Sequence, residues 1–160
     1  MNNSNYNQVW NLDSIFPGGS KSIQLHNHLQ VIKEGLQLMN KGLTITTKFN
    51  SEEANNVLNL LIEIGNMKLK LSQATSFITC LLAQDPIDSD ASVLQSKISN
   101  LNSEYNIMLT KFQALVANTP LNTWIELLES EQLTDFKLIL TEWRKESESS
   151  LTTNEKAILS

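Results

Sequence analysis

The two histidines of this chain are the first residues to consider as metal ligands or catalytic bases. His26 and His28 stand two residues apart in a segment whose apolar spacing predicts a helix. Two residues of an α-helix turn through about 200°, so the two rings diverge and do not share a tetrahedral metal ion. We interpret both as helix histidines, either solvated or partly buried. The sequence contains no His-Glu-x-x-His run, in which two zinc ligands one turn apart flank a glutamate base.

The chain has a single cysteine, Cys80, near the predicted end of a helix and among apolar neighbours. Because no histidine lies nearby in the sequence to act as its base, we interpret Cys80 as a small buried hydrophobic residue and not as a nucleophile. A single cysteine forms no intrachain disulfide, which favours a reducing compartment.

Three aspartates cluster around a proline: Asp85, Asp88 and Asp90. A calcium loop of the EF-hand type needs a central glycine and a bidentate glutamate at its end, and neither is present here. These aspartates therefore predict helix caps. The pair Gly18-Gly19 follows a proline and predicts a turn, not a phosphate-binding loop. The sequence thus predicts no catalytic residue, no metal ligand and no cofactor-binding residue within this chain.

Composition indicates the class of protein. The chain has 160 residues, 41% of them apolar, and a net charge of −5. Its 12 Lys and Arg residues are scattered, whereas a nucleic-acid surface needs them clustered. No apolar run approaches the length of a membrane span, and the first residues do not resemble a signal peptide. We expect a cytoplasmic protein that binds neither nucleic acid nor membranes.

Apolar residues recur three and four apart through most of the chain, which predicts long amphipathic helices. The predicted helices cover residues 20–41, 50–84, 90–117, 121–129 and 134–149, with a further start at 152. Short connections make neighbouring helices antiparallel. We therefore predict an all-α up-down bundle of long antiparallel amphipathic helices. It forms one helical domain over residues 20–160, after an extended docking segment over residues 1–19.

Two heptad lines in the second helix are the strongest pattern in the chain: Val57, Ile64, Leu71 and Ile78, and Leu60, Met67, Ala74 and Leu81. The third predicted helix has a comparable pair: Leu94, Leu101, Met108 and Leu115, and Ile98, Tyr105 and Phe112. In the last helix before residue 149, one face carries Phe136, Ile139, Leu140 and Trp143, and the charged residues 144–148 are interpreted as a solvated face.

Several residues predict where helices begin and end. Ser20 is a predicted N-cap, Gly42 a predicted C-cap, and Asn50 with Glu53 a predicted capping box. Thr152 with Glu155 predicts a further helix that is cut off within two turns. This pattern favours a fragment of a longer protein over a frayed natural terminus.

The stretch "WNLDSIFPGGS", residues 10–20, is too short to form a core and must dock on the bundle. We expect Trp10, Ile15 and Phe16 to fill an apolar gap there, and the Pro-Gly-Gly turn to lead into the first helix.

This stretch resembles the amino-terminal signature of bacterial oligoendopeptidase F and its relatives, the thimet-like zinc metallopeptidases. Two later stretches are similar to the same family: "CLLAQDPIDSDA", residues 80–91, and "FKLILTEWRKESESSLTTNEKAILS", residues 136–160. The three stretches keep the family's order along the chain. One departure is Trp143 before Arg144, where relatives tend to have a further charged residue.

The resemblance implies a non-catalytic amino-terminal helical domain that helps to enclose the peptide-binding cleft of the full enzyme. Zinc, its ligands and the glutamate base would belong to a catalytic domain outside this chain, which would be its partner in cis and would cleave short peptides. The alternative is a free-standing helical interaction module that binds a partner or itself. Its evidence is the set of apolar residues beyond one seam of the second helix: Leu58, Leu61, Ile62 and Leu69.

Overall fold

The structure, a computed structural model, describes the backbone of residues 11–158 and the side chains of residues 11–149. Within these residues all regular structure is helical, and the predicted all-α fold is confirmed. The α-helices are α1 (Ile23–Ile45), α2 (Ala54–Gln84), α3 (Ser89–Asn118), α4 (Leu121–Glu129) and α5 (Lys137–Ile158). Three 3₁₀ helices cover Leu12–Ser14, Gly19–Lys21 and Glu131–Phe136.

The helices α1, α2 and α3 form an up-down-up bundle. His28 of α1 bonds to the backbone of Lys70 in α2, and a cleft further along is lined by Gly42 and Asn59, so these helices are antiparallel. Near the end of α1, Lys111 Nζ of α3 lies 3.1 Å from Thr44 Oγ1, which places α3 parallel to α1.

The fifth helix returns along α3. The ring centroids of Phe112 and Trp143 are 5.9 Å apart with their planes at 83°, an edge-to-face contact. Arg144 of α5 bonds to the carbonyls of Val116 and Thr119, and one turn further along α5 Ser147 reaches the carbonyl of Gln113, nearer the start of α3. The helix α5 therefore extends the up-down pattern on the outside of α3.

The predicted heptad lines are the core of the bundle. All seven residues predicted for the third helix are buried, including Tyr105 and Phe112. In α2, Leu60 and Leu81 are partly buried and the other six predicted positions are fully buried. A period close to 3.5 keeps these residues on one side of each helix, so antiparallel neighbours cover them together.

The first helix is displaced from its predicted bounds. It begins at Ile23, not at residue 20, and Ser22 is the N-cap, with its Oγ accepting a hydrogen bond from Leu25 N at 3.3 Å. The predicted C-cap at Gly42 is wrong, because the helix continues to Ile45. Leu43 is buried, and only a continuing helix places it in line with the core residues of α1.

The second helix begins at Ala54, four residues later than predicted. Glu53 Oε2 does accept from Asn50 N at 2.8 Å, but Asn50 Oδ1 accepts from Glu52 N at 3.0 Å. Only half of the predicted capping box forms, so it closes a turn ahead of the helix. The bounds of α3 differ from prediction by one residue at each end, and α4 has its predicted bounds.

The carboxy-terminal prediction of one helix ending at 149 and another starting at Thr152 is wrong. A 3₁₀ helix over Glu131–Phe136 leads into a single helix that continues to Ile158. No glycine or proline interrupts residues 149–152, and a helix already under way supplies its own carbonyl acceptors without a new cap. Across the described residues, no helix is long and apolar enough to cross a membrane.

Candidate functional site

The two histidines lie on different sides of α1. His28 is 2.9 Å from the carbonyl oxygen of Lys70 through Nε2. Because a carbonyl only accepts, Nε2 donates this hydrogen bond and is not a free metal ligand. His26 lines a cleft between α1 and α3 instead. The described part of the chain contains no group of three His, Cys, Asp or Glu side chains that is suited to a metal ion.

Cys80 is partly buried and packs against the hydrophobic core near the end of α2. This position agrees with a packing role for its side chain. Among the described residues, the geometry brings neither a histidine nor a carboxylate into a hydrogen bond with it. Its interpretation as a small hydrophobic residue remains a prediction.

The amino-terminal docking segment seats one aromatic ring between α1 and α2. Phe16 is buried, with its ring centroid 4.9 Å from that of Phe77 and 5.3 Å from that of His28. Leu12 is buried beside it, a contact that the sequence analysis missed. The prediction for Ile15 is wrong, because that side chain is 49% exposed. Trp10 lies outside the described residues.

The described part of this segment, from residue 11 onward, is not extended as predicted, but folds into two 3₁₀ turns. Gly18 and Gly19 have φ angles of 90° and 62°, which favour glycine and confirm the predicted turn. Asp13 Oδ1 accepts a hydrogen bond from Gly18 N at 3.0 Å and closes the loop between the turns. The turns reverse the chain, so that Phe16 points into the bundle.

The first two stretches that resemble the peptidase family meet at this end of the bundle. Gly19 lies so close to α2 that a Cβ atom on it would be 3.5 Å from Leu81 Cδ2. The Ser20 hydroxyl donates a hydrogen bond to the Asp88 carboxylate, and Lys21 adds a favourable charge interaction with the same group. Residues 11–20 and 80–91 therefore pack together around the α2–α3 turn.

Asp88 is the N-cap of α3, as predicted for this cluster of aspartates. Its Oδ1 accepts a hydrogen bond from Ala91 N at 2.9 Å. That bond, followed by the hydrogen bond from Ser20, lowers the pKa of the Asp88 carboxyl below its ordinary value of 3.8. The other aspartates have different roles, since Asp85 Oδ1 accepts from Ile87 N at 3.2 Å and Asp90 lies in the first turn of α3.

The lowered pKa of Asp88 predicts a loss of stability in acid that an asparagine at this position reduces. The folded chain binds fewer protons here than the unfolded chain, so the contribution is present above about pH 4 and is lost as the pH falls through the folded-state pKa. We expect Asp88→Asn to lose less unfolding free energy than the wild type between neutral pH and about pH 3, because the amide still caps the helix and does not titrate.

Urea denaturation followed by circular dichroism at both pH values measures this difference. Asp90→Asn is the matched control, because it removes the same charge from the same turn without removing the hydrogen bond to Ala91. Equal acid losses in the wild type and Asp88→Asn contradict the assignment.

Arg144, in the third resembling stretch, holds the opposite end of the bundle. Its Nη1 donates to the carbonyl oxygens of Val116 at 3.0 Å and Thr119 at 2.9 Å. The guanidinium also lies 5.7 Å from the centre of the Trp124 ring. Only 12% of the side chain is exposed, so its interpretation as part of a solvated face is wrong. The helix α3 has no glycine C-cap, and Arg144 satisfies its last carbonyls instead.

Two surface grooves flank α1. The cleft between α1 and α3 has a volume of about 440 Å³ and is lined by charged residues such as Lys33, Lys97 and Glu104 and also by Leu29 and Leu101. The groove between α1 and α2 has a volume of about 510 Å³ and is mainly apolar, with Leu38, Gly42 and Ile45 on its α1 side. The first groove is therefore mixed in character and the second mainly apolar.

Two features of the structure were not predicted from the sequence. One is the position of Arg144, which donates to the carbonyls at the end of α3, where no glycine C-cap is present. The exposed residues Val31, Leu38 and Ile45 recur every seven positions, a pattern visible in the sequence but separate from the core stripe of α1.

Comparison with protein-family models, with curated proteins and with solved structures finds no match to this chain.

Proposed function

We propose that this chain is the non-catalytic amino-terminal helical domain of an oligoendopeptidase F-type zinc metallopeptidase of the cytoplasm. The observation that supports it most is the contact between residues 11–20 and 80–91, through Gly19 with Leu81 and Ser20 with Asp88. Two stretches some sixty residues apart that resemble the same family also pack together, as parts of one ancestral unit do.

In this proposal the bundle serves as a wall of the peptide-binding cleft. Continuous buried lines along α1, α2 and α3 make the bundle a densely packed body, and a rigid wall restricts a cleft to short, unfolded peptides. Zinc-bound water and its glutamate base belong to the catalytic domain, the partner of this chain in cis. The net charge of −5 and the scattered basic residues agree with a protein that does not bind nucleic acid.

The coding sequence that follows Ser160 is the direct test. We expect an open frame that encodes a His-Glu-x-x-His motif, and a coding sequence without one contradicts the peptidase assignment.

A quenched fluorogenic peptide assay tests the proposal that this chain is itself non-catalytic. We expect the 160-residue chain with added zinc to show only background turnover. Zinc-dependent hydrolysis that a chelator abolishes contradicts a non-catalytic role.

The second candidate is a free-standing helical interaction module, and exposed apolar side chains on α1 and α2 favour it. In the second helix, Ile62 and Leu69 are exposed, whereas Leu61 is buried in the core and Leu58 is partly buried. Only part of the predicted second seam is therefore available to a partner. This candidate predicts a specific complex formed by the isolated chain.

A further inference from the structure

Exposed apolar side chains recur on two helices: Val31, Leu38 and Ile45 on α1, which we name the α1 line, and Ile62 and Leu69 on α2. Leu38, Ile45 and Leu69 are exposed by 73%, 80% and 71%, well above the level of ordinary core-edge residues. The spacing is seven residues within each helix, so the residues form one line along α1 and another along α2. Neither line belongs to the core stripe of its helix.

The two lines run along neighbouring antiparallel helices but on different sides of them. His28 bonds to Lys70, which sets the register of the pair. From that level Leu38 lies about 15 Å along α1, and Ile62 lies about 12 Å along α2 in the same direction. The groove beside Leu38 is lined on α2 by Asn59 and Glu63, so Ile62 and Leu69 lie on the side of α2 that is turned away from α1.

We propose that the α1 line is an interface between two copies of this chain, related by a two-fold axis that passes between the two Leu38 side chains. Val31 and Ile45 are equally distant in sequence from Leu38. In an antiparallel pair of α1 helices, Val31 of each copy meets Ile45 of the other, as an isologous interface requires. This proposal does not rest on the proposed peptidase function.

Two charged residues beside the apolar line of α1 are complementary under the same symmetry. Glu34 and Lys41 lie four residues before and three residues after Leu38. They are about 10.5 Å apart along the helix axis, too far to pair with each other. Within one copy, Glu34 Oε1 accepts a hydrogen bond from Gln30 Nε2 at 2.8 Å, and the ion pairs of the described residues join Arg144 to Glu148 and Lys145 to Glu142. In the antiparallel dimer, Glu34 of each copy faces Lys41 of the other.

The same pattern disfavours a parallel dimer, which would place Glu34 against Glu34 and Lys41 against Lys41. The groove beside the line also permits close approach, because the region around a Cβ atom on Gly42 is empty to 4 Å. A second copy thus meets apolar groups along the α1 line and matched charges at its flank.

Sedimentation equilibrium of the purified chain tests the proposal, with helicity checked by circular dichroism. We expect a dimer for the wild type, and for Leu38→Asp a dissociation constant raised by about tenfold or more with unchanged helicity. Ile107→Asp is the control, since it puts the same charge on an exposed position of α3, and we expect it to dimerise like the wild type. A wild-type chain that stays monomeric, or a Leu38→Asp chain that dimerises normally, overturns the proposal.

A charge exchange tests the antiparallel geometry separately. We expect Glu34→Lys and Lys41→Glu each to weaken the dimer severalfold, since each places like charges opposite one another at two sites. The double variant Glu34→Lys with Lys41→Glu restores opposite charges, and we expect its dissociation constant to return close to that of the wild type. If the double variant instead weakens the dimer by the sum of the two single effects, the two α1 helices are not antiparallel at the interface. A monomeric chain that binds a peptidase domain through Leu38 would show that the α1 line has that occupant instead.

Discussion

Replacement of Phe112 by alanine is expected to lower the free energy of unfolding by about 3–5 kcal/mol. Phe112 is fully buried in α3, with the rings of Phe49 and Trp143 each 5.9 Å away between centroids. The connector between α1 and α2 (residues 46–53) and the helix α5 therefore both pack on α3 at Phe112. Alanine leaves a cavity that neither neighbour fills without moving, and urea denaturation followed by circular dichroism measures the loss.

Two further variants give this prediction its controls. Ile107→Ala lies in the same helix at an exposed position, and we expect a change within about 0.5 kcal/mol. Phe112→Leu keeps most of the apolar volume, and we expect a loss smaller than that of alanine. If Phe112→Ala costs less than about 1 kcal/mol, the ring is not packed between Phe49 and Trp143 as described.

The second large effect is expected from Leu71→Ala, which should lower the free energy of unfolding by about 2–5 kcal/mol. Leu71 lies in the middle of α2 and is fully buried, on a heptad line that includes Ile64 and Ile78. Its neighbours α1 and α3 are themselves long helices, so they collapse into the vacated space only in part. Urea melts at a low protein concentration measure the monomer alone.

Leu69→Ala is the matched control for Leu71→Ala. It makes the same chemical change two positions away, where the side chain points into solvent. We expect a change within about 0.5 kcal/mol for the monomer. Similar losses for the two variants contradict the assigned faces of α2.

The lines of apolar residues made most of the bundle predictable. In α3, apolar residues recur three and four apart from Leu94 to Leu115 without a break, and every predicted core position is buried. The periodicity is a direct consequence of helix geometry and does not depend on which neighbour covers the face. The same reasoning predicted the bounds of α4, where Pro120 gives a clear beginning.

The ends of the other helices depend on contacts that the local sequence does not contain. Gly42 has the residue type of a C-cap, but the burial of Leu43 keeps the helix going past it. The connector before α2 is held by a hydrogen bond from Phe49 N to Thr119 Oγ1, at 3.1 Å, between residues far apart in the chain. Local propensity is a weak guide wherever such tertiary contacts compete with it.

In the candidate site too, the roles that depend on adjacent residues were predictable and the contacts between distant residues were not. The helix-capping role expected for the aspartates is met by Asp88, because capping depends on a few adjacent residues. The contact of Asp88 with Ser20 was not predicted, because no local pattern links two residues that are far apart in the sequence. The burial of Leu12 in place of Ile15 follows from the 3₁₀ turns, whose orientation the short polar sequence leaves open.

The pair of hydrogen bonds from Arg144 to the end of α3 has a consequence for the stability of a shortened chain. The carbonyls of Val116 and Thr119 receive their donor from a residue 25–28 positions later. A chain shortened to the first three long helices would contain nearly all of the heptad core and still lose the donor that these two carbonyls have in the full chain. We therefore expect such a shortened chain to be less stable than one that extends through residue 144.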